Sequence, residues 1–324
     1  KKKKGSNLIY FGPGVHNLPN DTLFVPSGTT VYIDGGARVY GNIFTEGAHD
    51  VNIFGRGEVH PDGRGAGVWV RRSKNVRIDG IVVSQLPIGQ CDSVELTNVK
   101  SISYYGWGDG MDVFSSSNVI LDGVFCRNSD DCAAVYASTQ GFKGGSNNVL
   151  VKNATLWADV AHPINIGGHG DPNGMDTVQN VTFRNIDILD QAEKQVDYQG
   201  CLAINPGDNT LVRNITFENI RIEDFRNGQL VNFRISFNPK YCVSTGRGIH
   251  NVLVKDVTYN GSGENLSIIA GYDENHKISG IRFVNLVVNG RKITDDMPGK
   301  PKWYKTGDMA GIFVGEHVEN LSFE

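Results

Sequence analysis

One phrase recurs along this chain. It reads HDVNIFGRGEV, KNVRIDGIVVS, SNVILDGVFCR, NNVLVKNATLW, QNVTFRNIDIL, RNITFENIRIED, HNVLVKDVTYNG and SGIRFVNLVVNG. Each copy opens on a turn former, alternates apolar and polar residues, pauses at Asn, Asp or Gly, and alternates again. Alternation with period two marks strands that bury one face. The pause suits a left-handed backbone, which Gly and Asn adopt at least cost. The first apolar positions are Val51, Val76, Val119, Val149, Val181, Ile215, Val252 and Ile281, and one wide gap of 43 residues is expected to hold a further coil around Val99. Repeats of this kind mean a solenoid, because one unit cannot bury its apolar face alone. The pattern predicts an all-β chain folded as a right-handed parallel β-helix. Helical repeats would need longer 3.6-period stretches, and propeller blades would need longer, more even periods. A single β-helix domain is expected over 10–324, with 1–9 as a trimmed segment or linker. The stretch ITDDMPGKPKWYKTGD interrupts the pattern, and AGIFVGEHVENLSF resumes it as a last coil or cap.

Composition narrows the function. There are 31 Lys and Arg against 35 Asp and Glu, a balance that argues against nucleic acid as the partner, since phosphate binding needs a basic surface. No run approaches the roughly 18 apolar residues of a membrane span. The opening KKKKGSNLIY has the charges of a signal n-region without an apolar run behind it. A secreted or periplasmic protein whose signal is already removed is expected. The cysteines, Cys91, Cys126, Cys132, Cys201 and Cys242, form no C-x-x-C pair, which argues against zinc, and their odd, sparse set does not suggest a disulfide framework. Sequons at Asn20, Asn153, Asn180, Asn214, Asn260, Asn265 and Asn320 are glycosylation candidates. They also arise without that role wherever a solenoid places Asn at turns and Thr or Ser in strands.

The stretch WGDGMDVFSSSNVILDGVFCRNSDDCAAVY carries the chemistry. Asp109 precedes the Asp130–Asp131 pair by 21 residues, about one coil. Positions one coil apart stack at roughly 4.8 Å. Asp109, Asp130 and Asp131 are therefore expected together on one sheet surface with no cation adjacent in sequence. Mutual repulsion raises at least one pKa and leaves one carboxyl protonated near neutrality. A protonated carboxyl beside an ionised one is the equipment for splitting a glycosidic bond. A calcium site is the alternative for such a cluster, and Asp112 also suits a turn.

GDGMD followed by SDDCAAVY resembles the polygalacturonase family of β-helical glycoside hydrolases, which carries N-T-D-G-x-D, D-D-C, G-H-G and R-I-K. VYIDGGARVYGNI and GRGEV are similar to that group as well, and NATLWADVAHPINIG resembles the related dextranase and isopullulanase family. The resemblance runs from about Tyr10 to Ile293. It implies that Asp109 and Asp131 polarise the attacking water, that Asp130 is the general acid, and that the anomeric centre is inverted. Inversion calls for carboxyls about 6.5–9.5 Å apart. Asp112 would support the loop. The frame AHPINIG makes His162 the counterpart of the family histidine, with Asn165 beside it, whereas the literal G-H-G contains His169.

Departures from the family pattern bear on the substrate. Trp107 replaces the family's Asn and suits stacking on a sugar face. The string FRISF offers Arg234 without a lysine, so the cations that hold a uronate carboxylate are missing. A neutral glucan or galactan is expected rather than polygalacturonate. Tyr104, Tyr105, Tyr136, Asn165, Asp171, Gln199, Asn205, Asp208, Arg234 and Tyr272 are the candidates for lining a polar groove, with Trp107 and His169. No metal or organic cofactor is expected, and the partner is a poly- or oligosaccharide. A lyase or epimerase would instead need a cation or calcium beside the substrate carboxylate, and a glycan-binding adhesin would need no acid.

Overall fold

In a computed structural model of the chain, residues 7–262 and 264–324 are described. They form a right-handed parallel β-helix. The repeated anchors are ladder partners one coil apart: Val51 pairs with Val76, Val119 with Val149, Val149 with Val181, Val181 with Ile215, Ile215 with Val252, and Val252 with Ile281. The coil missing from the sequence pattern is anchored by Val94, which pairs with Val76 and Val119. Val99 is buried at a different position of that coil. The first strand, Asn7–Phe11, pairs with Thr29–Ile33 and so starts three residues ahead of the expected boundary at Tyr10. Residues 1–6 lie outside the described residues. At the other end Ile312–Val314 and Val318–Phe323 rejoin the stack, as the resumed pattern predicted.

Side chains that repeat from coil to coil lie on one another. Phe183 stacks on Phe217 at 5.8 Å, and Phe283 on Phe323 at 4.8 Å between ring centroids. The bends are held by Asn. Asn153, Asn180, Asn185 and Asn214 all have φ near +55°. Their amides form ladders along the outside: Asn153 donates to Asp122 at 2.7 Å, Asn185 to Asn153 at 2.7 Å, and Asn214 to Asn180 at 3.1 Å. Three of the sequon asparagines are thus ladder residues whose amides already have partners. The five cysteines are free. Among the described residues no helix is long and apolar enough to cross a membrane.

One stack of short strands carries the site. In order it contains Val68–Arg71, Ile88–Gly89, Met111–Phe114, Ala133–Tyr136, Ile164–Ile166, Leu202–Ile204 and Val231–Arg234, all parallel. Met111 and Val113 point into the core. Period-two alternation sends Asp112 and Phe114 outward. In register with Asp112 along the outer face are Ala134, Asn165, Ala203 and Asn232.

Because each anchor is covered by its neighbours above and below, Ile215→Ala should cost about 2–5 kcal/mol and Ile215→Val about 0.5–1.5 kcal/mol. Urea unfolding should show both losses as a lower midpoint at unchanged m.

Candidate active site

The acids sit where loops enter this strand stack. The observed coil step here is 22 residues, with Met111 opposite Ala133. Gly110 donates its N–H to the Asp131 carbonyl at 2.8 Å, so Asp109 stacks on Asp131 rather than on Asp130. A Cβ at Gly110 would lie 2.2 Å from the Cys132 carbonyl oxygen, so only glycine lets the two loops approach this closely. Asn128 ties the same loops together, its amide donating to the Asp109 carbonyl at 3.2 Å and to Ser101 and Ser103 at 3.0 Å.

Oxygens of Asp109, Asp130 and Asp131 come within 4.8 Å of one another. This is closer than the spacing expected between the acid and base of an inverting enzyme. The reason is geometric: two of the acids are adjacent in the chain, and the third is one ladder step away. The three carboxyls differ in environment. Asp131 is 1% exposed. Its Oδ1 accepts from the His162 backbone N–H at 3.1 Å and lies 2.7 Å from His162 Nδ1; its Oδ2 accepts from Tyr136 Oη at 2.5 Å and Asn165 Nδ2 at 2.8 Å. Burial alone would push this carboxyl up, but His162, Tyr136 and Asn165 together hold it below the usual carboxylate range. Asp130 has few such donors. Burial and then the charges of Asp131 and Asp109 push it up to about 8. Burial and then Asp131 push Asp109 up to about 7. Asp112 lies on the floor beside them, fully buried and raised well above the usual range by burial and by the other three acids. Burial and its three acidic neighbours thus favour its neutral form.

The cleft over these acids has a volume of about 640 Å³. Trp107, Tyr104, Tyr105, Tyr136 and His169 line it, as expected from the sequence. Trp107 is 77% exposed and adopts φ +58°, with its carbonyl held by Gln85 at 2.9 Å. Other expected residues are placed differently. His162 is fully buried behind Asp131, with its Nδ1 2.7 Å from Asp131 Oδ1, so it reaches the cleft only through that carboxylate. His169, edge-on to Tyr136 at 5.0 Å, is the histidine that faces the cleft, and burial lowers its pKa. Asn165 donates its amide N–H groups to Asp131 and Tyr136 and lines the recess beside the cleft. Gln199 is a buried strut: its amide donates to the Glu193 carbonyl at 2.5 Å and accepts from Asn265 at 2.9 Å. Arg234 lies outside this cleft, donating to the Asp197 carbonyl at 3.2 Å. Asp171 turns toward Lys143, Asp208 accepts backbone N–H groups of Val243 and Ser244, and Tyr272 packs on His276. Asn205 lines a smaller recess beside the cleft.

Sequence reasoning missed Glu193, Gln195, Tyr198, Lys240 and Tyr241, all in the cleft wall. Tyr198 packs edge-on to His162 at 4.3 Å and stacks on Tyr241 at 4.9 Å. These residues stand in EKQVDYQG and NPKYC, segments that break the repeat, and that break was the available signal. A divalent cation fits the acid cluster poorly, because both Asp131 oxygens already accept hydrogen bonds, from the His162 backbone N–H, Tyr136 and Asn165.

The sequence pattern of glycosyl hydrolases family 28 matches residues 68–296. The chain is 26% identical over 219 residues to a polygalacturonase of Juniperus ashei, covering 64% of this chain and 39% of that protein. It is 24% identical over 285 residues to a probable endopolygalacturonase D of Neosartorya fischeri, covering 76% and 55%. The chain therefore spans about half the length, or less, of these curated relatives. In fold it is similar to the family 28 exopolygalacturonase of Yersinia enterocolitica, with a TM-score of 0.70 at 13% identity over 98% of this chain and 72% of that one. With the aspartate cluster on the outer face of the β-helix and the family match spanning it, this chain belongs to glycosyl hydrolase family 28.

Proposed function

We propose that this protein hydrolyses glycosidic bonds in a pectin-type galacturonan, with inversion. The observation that carries the reading is the split among three converging carboxyls: Asp130 raised to about 8, Asp131 lowered, and Asp109 near 7. Asp130 is protonated at neutral pH and delivers its proton to the leaving oxygen. Asp109, poised near the working pH, takes the proton of the attacking water. Asp131 stays ionised, orients that water and, by its charge, keeps the proton on Asp130. Asp131 is a poor nucleophile, since both its oxygens accept hydrogen bonds and it is almost fully buried. That argument favours water as the attacking group, and hence inversion, despite the short spacing of the acids.

Two observations favour a uronate over the neutral glucan or galactan expected from the sequence. The missing lysine after Arg234 is answered six residues on by Lys240, which stands in the cleft wall with its Nζ 2.8 Å from Gln195 Oε1. The curated relatives are named polygalacturonases. A substrate carboxylate meeting Lys240 gains a charge-assisted bond that a neutral sugar does not. A polymer of this kind lies outside the cytosol, which suits a secreted or periplasmic site of action.

Sugar release from polygalacturonate, methyl-esterified pectin, dextran, pullulan and galactan tests the reading. Release should be strongest from polygalacturonate, and Asp130→Asn should lower kcat by about 10²–10⁴-fold. Release from a neutral glycan alone would overturn the uronate assignment. Lys240→Ala should raise KM on polygalacturonate and leave KM on fully esterified pectin nearly unchanged. In a pH series, kcat/KM should rise through about pH 7 as Asp109 ionises and fall above about pH 8 as Asp130 loses its proton. A plateau running on to pH 10 would exclude Asp130 as the acid. Proton NMR of the first product should show the anomer opposite to that of the substrate.

A further inference from the structure

Both ends of the cleft are blocked along the axis of the solenoid. A polymer lying across the sheet would have to continue over the outer faces of the neighbouring strands. Past the acids, those faces are Ala203 and Asn232, and both are completely buried. The cover is the segment leading into Leu202–Ile204. Gly200 lies so close that a Cβ on it would stand 3.0 Å from Asn232 Cβ and 3.1 Å from Ala203 Cβ. Above it two contacts join segments from opposite sides of the sheet. The Tyr198 ring stacks on Tyr241 at 4.9 Å, and Lys240 Nζ meets Gln195 Oε1 at 2.8 Å.

The opposite end is filled by the loop after Ala133–Tyr136. Its Phe142 lies over Gly89, where a Cβ would stand 2.4 Å from the ring. Phe142 stacks on Phe114 at 6.1 Å, has the Arg72 guanidinium 4.9 Å from its centroid, and is only 2% exposed. Arg72 also donates to the Gly141 carbonyl at 3.3 Å. Phe114, Ala134, Tyr136 and Phe142 form a second, small apolar cluster outside the solenoid core. The outer face ahead of the acids is thus occupied by packed protein.

We propose that the cleft is a closed-ended pocket that takes the terminal units of a glycan chain, so that cleavage proceeds from an end and not within the chain. The Tyr198–Tyr241 and Gln195–Lys240 contacts form one end wall, and the Phe142 loop forms the other. A volume of about 640 Å³ lies within the range of pockets that enclose a drug-sized ligand, the size of about two or three sugar rings. The mouth is left to Trp107 and Tyr104, 77% and 86% exposed, which offer ring faces to the rest of the chain. This inference rests on the hydrolase reading and concerns only where on the polymer that reaction occurs.

The test follows viscosity and reducing ends together during digestion of polygalacturonate, with product lengths read at the earliest times. Reducing ends should accumulate while viscosity stays nearly unchanged, and the first products should be one or two units long. In parallel, Asp130→Asn should bind oligogalacturonates with an affinity that stops rising beyond about three units. The Gln195→Ala/Tyr241→Ala double variant, checked for an unchanged melting transition, should open one end and yield intermediate-length products. An early ladder of products with collapsing viscosity, or affinity that keeps rising tenfold per added unit, would overturn the closed pocket and leave the hydrolase reading intact. Neither cleavage nor binding of any uronate would remove both.

Discussion

Coil-on-coil stacking at the ladder spacing is the constraint from which everything else in this protein follows. Each anchor is buried only because a like residue lies one coil above and another one coil below. Val149 between Val119 and Val181 is one instance, and Phe217 against Phe183 is another. The bends must repeat in register for this to work, and Asn in the left-handed conformation supplies them, with its side-chain amide bonded to the next coil. The same spacing delivers Asp109 onto Asp131. The acids are not gathered by any special local structure. They are gathered because a solenoid superposes whatever stands one coil apart.

That superposition costs electrostatic energy, since three acids a few ångströms apart repel and are partly desolvated. The fold offsets the cost unevenly. It surrounds Asp131 with donors from Tyr136, His162 and Asn165, which stabilise its charge. It gives Asp130 and Asp109 little comparable help, so their pKa values rise. In the proposed mechanism, unequal solvation of chemically identical groups divides the labour of acid and base. His162 meets Asp131 through both its backbone N–H and its ring, and its full burial keeps it from direct contact with substrate.

The loops decide what reaches the acids. Where the repeat is interrupted, around residues 192–200, 236–246 and 138–145, side chains leave the ladder and fold over the outer face. Tyr198, Tyr241, Lys240 and Phe142 all come from such segments. The solenoid supplies a long flat sheet suited to a polymer, and the interruptions cut it to a pocket. Lys240, in the segment that leaves the strand ending at Arg234, places a cation in the cleft wall, while Arg234 itself bonds the Asp197 backbone carbonyl outside the cleft.

The sequence by itself determined the solenoid, the anchor ladder and the convergence of Asp109, Asp130 and Asp131. These follow from a short repeat in which register is local and additive, so that counting residues locates a side chain. His162 over His169 was legible only through the resemblance of AHPINIG to the family frame, and its bond to Asp131 appears in the ladder, where Ala133 pairs with Ile164. Tertiary structure alone decided that His162 is buried behind Asp131, that Gln199 is a buried strut, that Asp112 is buried among the other acids, and that Lys240 and Tyr241 reach the cleft. The physical reason is that burial and loop docking arise from contacts between segments far apart in sequence, such as Phe142 on Gly89 or Tyr198 on Tyr241. No period in the chain encodes those contacts.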